Sequence, residues 1–191
     1  MDMRLMNVVL FATILGWTAT AAAAERAKLD EGQALGAAIT ANANEVMAGS
    51  AMAARAQDPE VRAYAMRLME DHASANQALL NYQEQAGIKA TDSRLRAKLL
   101  TDGTKMTEML WSKDPSAMVD QRFLSDSITD HRELLRNLDE VLIPAAVNSP
   151  ELTGLLTRQR ATYAEHLRQG CMIGRRLGAD TEQCPMEPGT R

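Results

Sequence analysis

From about Gln33 onward, apolar or small residues recur every three or four positions, and no stretch alternates in the way that would mark a strand. Five helical segments follow from that period. The first spans about Gln33 to Ala56, with inward positions Leu35, Ala38, Asn42, Glu45, Gly49, Met52 and Ala56. Asp58-Pro59 then breaks the run and opens a second helix. The aspartate suits the N-cap, and the proline suits the first helical position, where its missing N–H is not needed. Val61, Ala65, Leu68, His72, Ala75 and Leu79 form the second seam, and Gly87 supplies its stop.

Leu95, Leu99, Met106 and Met109 or Leu110 predict a shorter amphipathic helix from about Ser93 to Ser112, with Asp102-Gly103 as a candidate break in its middle. Asp114-Pro115 repeats the start signal and opens a long helix with the seam Ala117, Leu124, Ile128, His131, Leu135, Leu138 and Leu142, which Pro144 is expected to end. Ser149-Pro150 begins the last helix, carrying Leu152, Leu155, Gln159, Thr162, His166, Ile173 and Leu177. Two long helices, a connection holding a short one, and two further long helices predict an all-α, ferritin-like four-helix bundle with one crossover. The period leaves open whether the short helix lies along the bundle or across its end.

Composition supports this and adds a compartment. Alanine, leucine and methionine are plentiful, while glycine, proline and aromatics are sparse, a balance that favours helix. Residues 1–24 read as a cleaved signal peptide: Arg4 gives a basic start, Leu5 to Trp17 an apolar core, and Ala21 to Ala24 the small residues of a cleavage site. The apolar run is shorter than the about 20 residues an ordinary membrane-spanning helix needs, and no later stretch is a candidate. Residues 25–178 would then be the bundle and 179–191 a tail. The expected location is the periplasm or another exported compartment. There the two cysteines, Cys171 and Cys184, read as a disulfide that pins the tail to the last helix, with a stabilisation of about 3 kcal/mol in the chain-entropy model. The net charge of -4, with no basic stripe, argues against nucleic acid as a partner. A homo-oligomer stays open.

Candidate chemistry sits on the seams. The chain has three histidines, His72, His131 and His166, each on a different long helix, and Glu45 holds the matching position on the fourth. Glu45 and His72 are equally far from the turn at Asp58-Pro59, and His131 and His166 are equally far from the turn at Asn148-Ser149. Antiparallel neighbours are level at equal distances from their turn, so each hairpin brings its own pair to mid-bundle. A polar group in an apolar core costs about 2–7 kcal/mol unless paired. A divalent transition metal such as zinc, copper or iron would satisfy all four groups as ligands. The acidic residue before each histidine (Asp71, Asp130, Glu165) points about 100° away around its helix, towards a neighbour whose imidazole it would orient.

Two other readings stand beside this one. The same four residues can form a metal-free hydrogen-bonded layer that fixes the bundle's register, in a structural or stress-related envelope protein. A redox or peroxide-handling metalloenzyme is the third. Met66 and Met69 lie near His72, and Met106 and Met109 share their spacing; thioethers suit Cu(I), although such residues usually fill gaps in cores.

The stretches Asn42 to Gly49 and Val61 to His72, with Phe123-Leu124, Asp130-His131 and Glu165-His166-Leu167, resemble the exported bacterial ferritin-like family catalogued as domain of unknown function 4142. The resemblance runs from about Gln33 to Leu177 and implies a ferritin-like fold and export, with no established activity. Di-iron members of the wider fold use Glu-x-x-His on two helices. Here Met69, Ile128 and Tyr163 precede the three histidines at that spacing, so a single ion suits the site better than an iron pair.

Overall fold

The computed structural model describes residues 28–111 and 116–185, and all regular structure among them is helical. The predicted signal segment, the Asp114-Pro115 start signal and the end of the tail lie outside the described residues, as does the side chain of Ala117. Helix α1 (Glu31–Arg55) starts two residues before the predicted position because Asp30 and Gln33 form a capping box. Gln33 N–H donates to Asp30 Oδ1 at 2.8 Å, and Asp30 N–H donates to Gln33 Oε1 at 3.1 Å. Helix α2 (Pro59–Ala86) starts and stops as predicted. Asp58 Oδ1 accepts from the Glu60 and Val61 amides, and Gly87 ends the helix at φ 66°, a left-handed conformation that glycine adopts without strain.

Helix α3 (Arg94–Leu110) is unbroken by Asp102-Gly103, contrary to expectation. Glycine keeps the approach close there: a Cβ on Gly103 would run into the Asn44 side-chain amide, which would have to shift. Asn44 in turn donates to the Leu99 carbonyl at 2.7 Å, which seats α3 along the side of α1. The question left open by the helical period is thereby settled, since α3 runs lengthwise and not across an end.

Helix α4 (Ser116–Asn137) passes into a π-helical turn, Leu138–Leu142, and a last turn, Ile143–Ala145. Pro144 therefore does not end the helix at Leu142. Its ring would crowd the carbonyl four residues back in an α-helix, and the wider turn, in which Ile143 N–H donates to Leu138 O, makes room. Helix α5 (Pro150–Leu177) ends at Gly178, φ 72°. The sulfurs of Cys171 and Cys184 lie 1.99 Å apart, disulfide distance, and hold residues 178–185 against α5.

Two apolar clusters fix the direction of each helix. One joins Ala34 and Ala38 of α1, Leu79 of α2, Leu99 of α3, Leu138 of the π turn and Leu152 of α5. The other joins Met52, Val61, Leu68, Leu110, Phe123 and Leu124, with Ile173 packed against it. Helices α1, α3 and α5 thus run from the first cluster to the second, and α2 and α4 run back. This is an all-α four-helix bundle, α1–α2 and α4–α5, with α3 as the crossover, which is the connectivity of ferritin-like bundles. Asp120 of α4 ties the hairpins at one end, accepting from the Gln57 and Asp58 amides. At the other end, Tyr82 and Ser149 both donate to Glu31 Oε1. No helix among the described residues is long and apolar enough to cross a membrane.

Candidate metal centre

The boundary between the two clusters is where the histidines fall. His72 follows Leu68 on α2, His131 lies between Ile128 and Leu134 on α4, and His166 follows Tyr163 on α5. All three are at most 1 % exposed. One ligand nitrogen from each lies within 4.8 Å of the others. The ring centroids are 5.0 to 5.9 Å apart and steeply tilted. The two hairpins meet at the predicted level.

Oxygen atoms hold the outer nitrogen of each ring. His72 Nδ1 is 3.0 Å from Asn42 Oδ1, His131 Nδ1 is 2.8 Å from the Ser127 carbonyl, and His166 Nε2 is 2.9 Å from Asp71 Oδ2. A carbonyl or carboxylate only accepts, so with Asn42 Oδ1 turned to His72 each of these nitrogens carries the proton. The remaining atoms, His72 Nε2, His131 Nε2 and His166 Nδ1, are then lone pairs turned towards each other. His72 Nε2 and His166 Nδ1 are 3.2 Å apart, and buried His131 Nε2 has no hydrogen-bond partner among the described residues. Protein oxygens fixing the tautomer of inward-facing imidazoles is the arrangement that metal-binding histidines use.

Electrostatics keeps the rings neutral. Burial, then the neighbouring imidazoles, pushes His72 well below the usual histidine range. Burial, then His166, lowers His131 to about 3, against the Ser127 carbonyl that favours its protonated form. His166 is also lowered by burial, opposed by Asp71. Neutral imidazole is the form that binds a metal.

The acidic residues divide. Asp71 meets the expectation that an aspartate on one helix orients the next helix's imidazole. Glu165 does not reach a histidine; Arg168 and Gln169 of its own helix bind its carboxylate and hold it down at about 2. Asp130 faces a pocket between α1, α3 and α4 that Glu45 also lines. Burial, then Asp126, Asp102 and Glu133, raises Asp130 to about 7. Glu45 Oε1 lies 3.9 Å from His131 Nδ1, the edge of that ring already bound to Ser127. Its carboxylate is therefore beside the three-nitrogen cluster and outside the set of atoms within 4.8 Å. Burial, then Asp130, lifts it well above the usual carboxylate range.

Asn42, Ser127 and Tyr163 also belong to the site and were not singled out from sequence. Asn42 held a seam position, a visible sign of a buried amide. Ser127 acts through its backbone, which no side-chain pattern reveals. Tyr163 is fully buried where the seam pointed to Thr162; its hydroxyl donates to Asn42 Oδ1 at 3.2 Å, and its ring lies 4.6 Å from that of His72. Met106 and Met109 lie against the second apolar cluster as packing, whereas Met66 is 45 % exposed.

A model of the family described as a domain of unknown function, DUF4142, matches residues 17–172. The chain belongs to this family. The DUF4142 match takes in α1 to α4 and most of α5, and with them Glu45, the three histidines and Asp71. No curated protein and no solved structure matches the chain.

Proposed function

We propose that this DUF4142 protein is an exported, periplasmic metal-binding bundle. His72, His131 and His166 hold one divalent transition metal ion (zinc, copper or iron), and Glu45, 3.9 Å from His131 Nδ1, stands outside the ligand set. The observation that carries this reading is the convergence of three buried lone pairs, one of them, on His131 Nε2, without any partner. A buried acceptor left unpaired costs about 1–3 kcal/mol, and an ion in the middle removes that cost. Three nitrogens at about 2.0–2.1 Å from a tetrahedral ion are separated by about 3.3 Å. The 3.2 Å between His72 Nε2 and His166 Nδ1 is that spacing. A disulfide-distance cysteine pair supports an oxidising, exported location.

A metal-free layer is the second reading, and a single amide separates the two. If the Asn42 side chain is turned, its Nδ2, which has no partner as placed, donates to His72 Nδ1. His72 Nε2–H then donates to His166 Nδ1, and two of the three rings are satisfied without an ion. His131 Nε2 remains unpaired in either orientation. Melting the EDTA-stripped mature protein with and without added Zn²⁺, Cu²⁺ or Fe²⁺ tests the proposal. At a hundred times the dissociation constant, a bound ion adds about 2.7 kcal/mol of stability. A melt that none of these ions moves would favour the metal-free layer.

A further inference from the structure

The pocket between α1, α3 and α4 leads from the surface to Glu45, and its charged lining falls into two sets. Near the surface, Lys98 bridges Asp102 and Glu133, with Nζ 2.6 and 2.9 Å from their carboxylates. All three side chains are about a third to a half exposed (52 %, 37 % and 32 %). One ammonium thus sits between two carboxylates across the mouth. Deeper in, Glu45 and Asp130 line the same pocket with no such partner. Neither carboxylate accepts a hydrogen bond from any described residue, although the Glu45 side chain is only 5 % exposed. The nearest nitrogen, His131 Nδ1, is 3.9 Å away and donates to Ser127 instead. Buried Glu45 and half-buried Asp130 beside it are costly as anions without donors among the described residues, and either protons or a cation must offset them. His131 stands between this pair and the other two imidazoles, its Nδ1 edge towards Glu45 and its free Nε2 on the opposite edge.

We propose that this pocket is the gateway to the three-histidine site, and that Glu45 and Asp130 together bind the incoming divalent cation at its floor. The inference rests on the metal-binding reading above. Oxygen ligands suit a cation that still carries part of its water shell, whereas the three imidazoles suit the desolvated transition metal. Carboxylates at the end of a low-dielectric channel also raise the local concentration of cations and hence the rate of capture. Lys98 works in the opposite sense, as a tethered ammonium across the mouth that incoming cations must pass.

Loading kinetics test this. EDTA-stripped mature protein is mixed with Co²⁺, and the absorption of the nitrogen-bound ion is followed in the wild type, Glu45→Gln/Asp130→Asn and Lys98→Met. The double variant replaces the two carboxyl groups by near-isosteric amides and is expected to fold. Loading should slow by about tenfold or more in the double variant and speed up several-fold in Lys98→Met, with end-point spectrum and stoichiometry unchanged in both. A double variant that loads at the wild-type rate overturns the gateway and leaves the histidine site standing. One with an altered end-point spectrum also overturns it, by making Glu45 or Asp130 a ligand of the histidine-held ion. If the wild type takes up no cobalt and no zinc, the histidine site and its gateway fall together.

Discussion

On one seam of α2, Leu68 stands a turn before His72 and Leu79 two turns after it; all three are buried, yet their surroundings ask different things of them. Leu68 and Leu79 belong to the two apolar clusters, where volume and shape decide and no atom needs a particular partner. His72 must direct two nitrogens at once, one to Asn42 and one to His166. The apolar layers hold the helices together. Between them, the polar layer adds little net stability, because every buried group there must first recover what it lost on leaving water. A layer of that kind is retained for what it binds or specifies.

Each prediction sets one layer against the other. The largest effect belongs to the clusters: Leu68→Ala or Leu79→Ala should cost about 2–5 kcal/mol in denaturant unfolding, while Leu68→Met should cost less than about 1.5 kcal/mol. The polar layer should behave in the reverse way. Replacing His72, His131 and His166 together by leucine should leave the fold as stable as the metal-free wild type or more stable by about 1–4 kcal/mol, and should abolish any response to added metal. Denaturant melts with and without Zn²⁺ check both halves.

The pH dependence of the stripped protein has a defined sign. Above about 6.5, His131 is neutral whether folded or unfolded. As pH falls from 6.5 towards 3, the unfolded chain takes up a proton that folded His131 refuses. Its contribution to stability is therefore present above pH 6.5 and lost on acidification, by up to about 1.4 kcal/mol per pH unit. His131→Gln should flatten that slope, as read from melts at pH 7, 6, 5 and 4. The smallest effects compare two acidic neighbours. Asp71→Ala should weaken metal affinity by about 10–100-fold, because it frees the His166 ring. Glu165→Ala should leave affinity unchanged and shift stability by less than about 0.5 kcal/mol, as for other surface changes. Competition with a chromophoric chelator separates them.

The helical period made most of the fold legible. The Asp58-Pro59 and Ser149-Pro150 starts, Gly87, and the levels of the histidines could be read because each depends on spacing along one chain. The features missed depend on other chains of contact. Gly103 looks like a breaker until Asn44 of a different helix is placed against it, and Pro144 looks like a stop until the π turn widens around it. In the site, the convergence of the three imidazoles was visible, and so was the Asp71 pairing. The position of Glu45 to one side of the cluster was not, since equal height does not fix rotation about the helix axis. Nor did anything in the pattern separate Asp71, which reaches an imidazole, from Glu165, which Arg168 and Gln169 hold on its own helix.

If three inward lone pairs share one ion, the EDTA-stripped mature protein titrates with Co²⁺ as a single site. Saturation is expected at one cobalt per chain, with intense visible absorption of a low-coordinate, nitrogen-rich site, lost in His131→Gln and displaced by Zn²⁺. Absence of a saturable visible spectrum, or an identical one in His131→Gln, would contradict it.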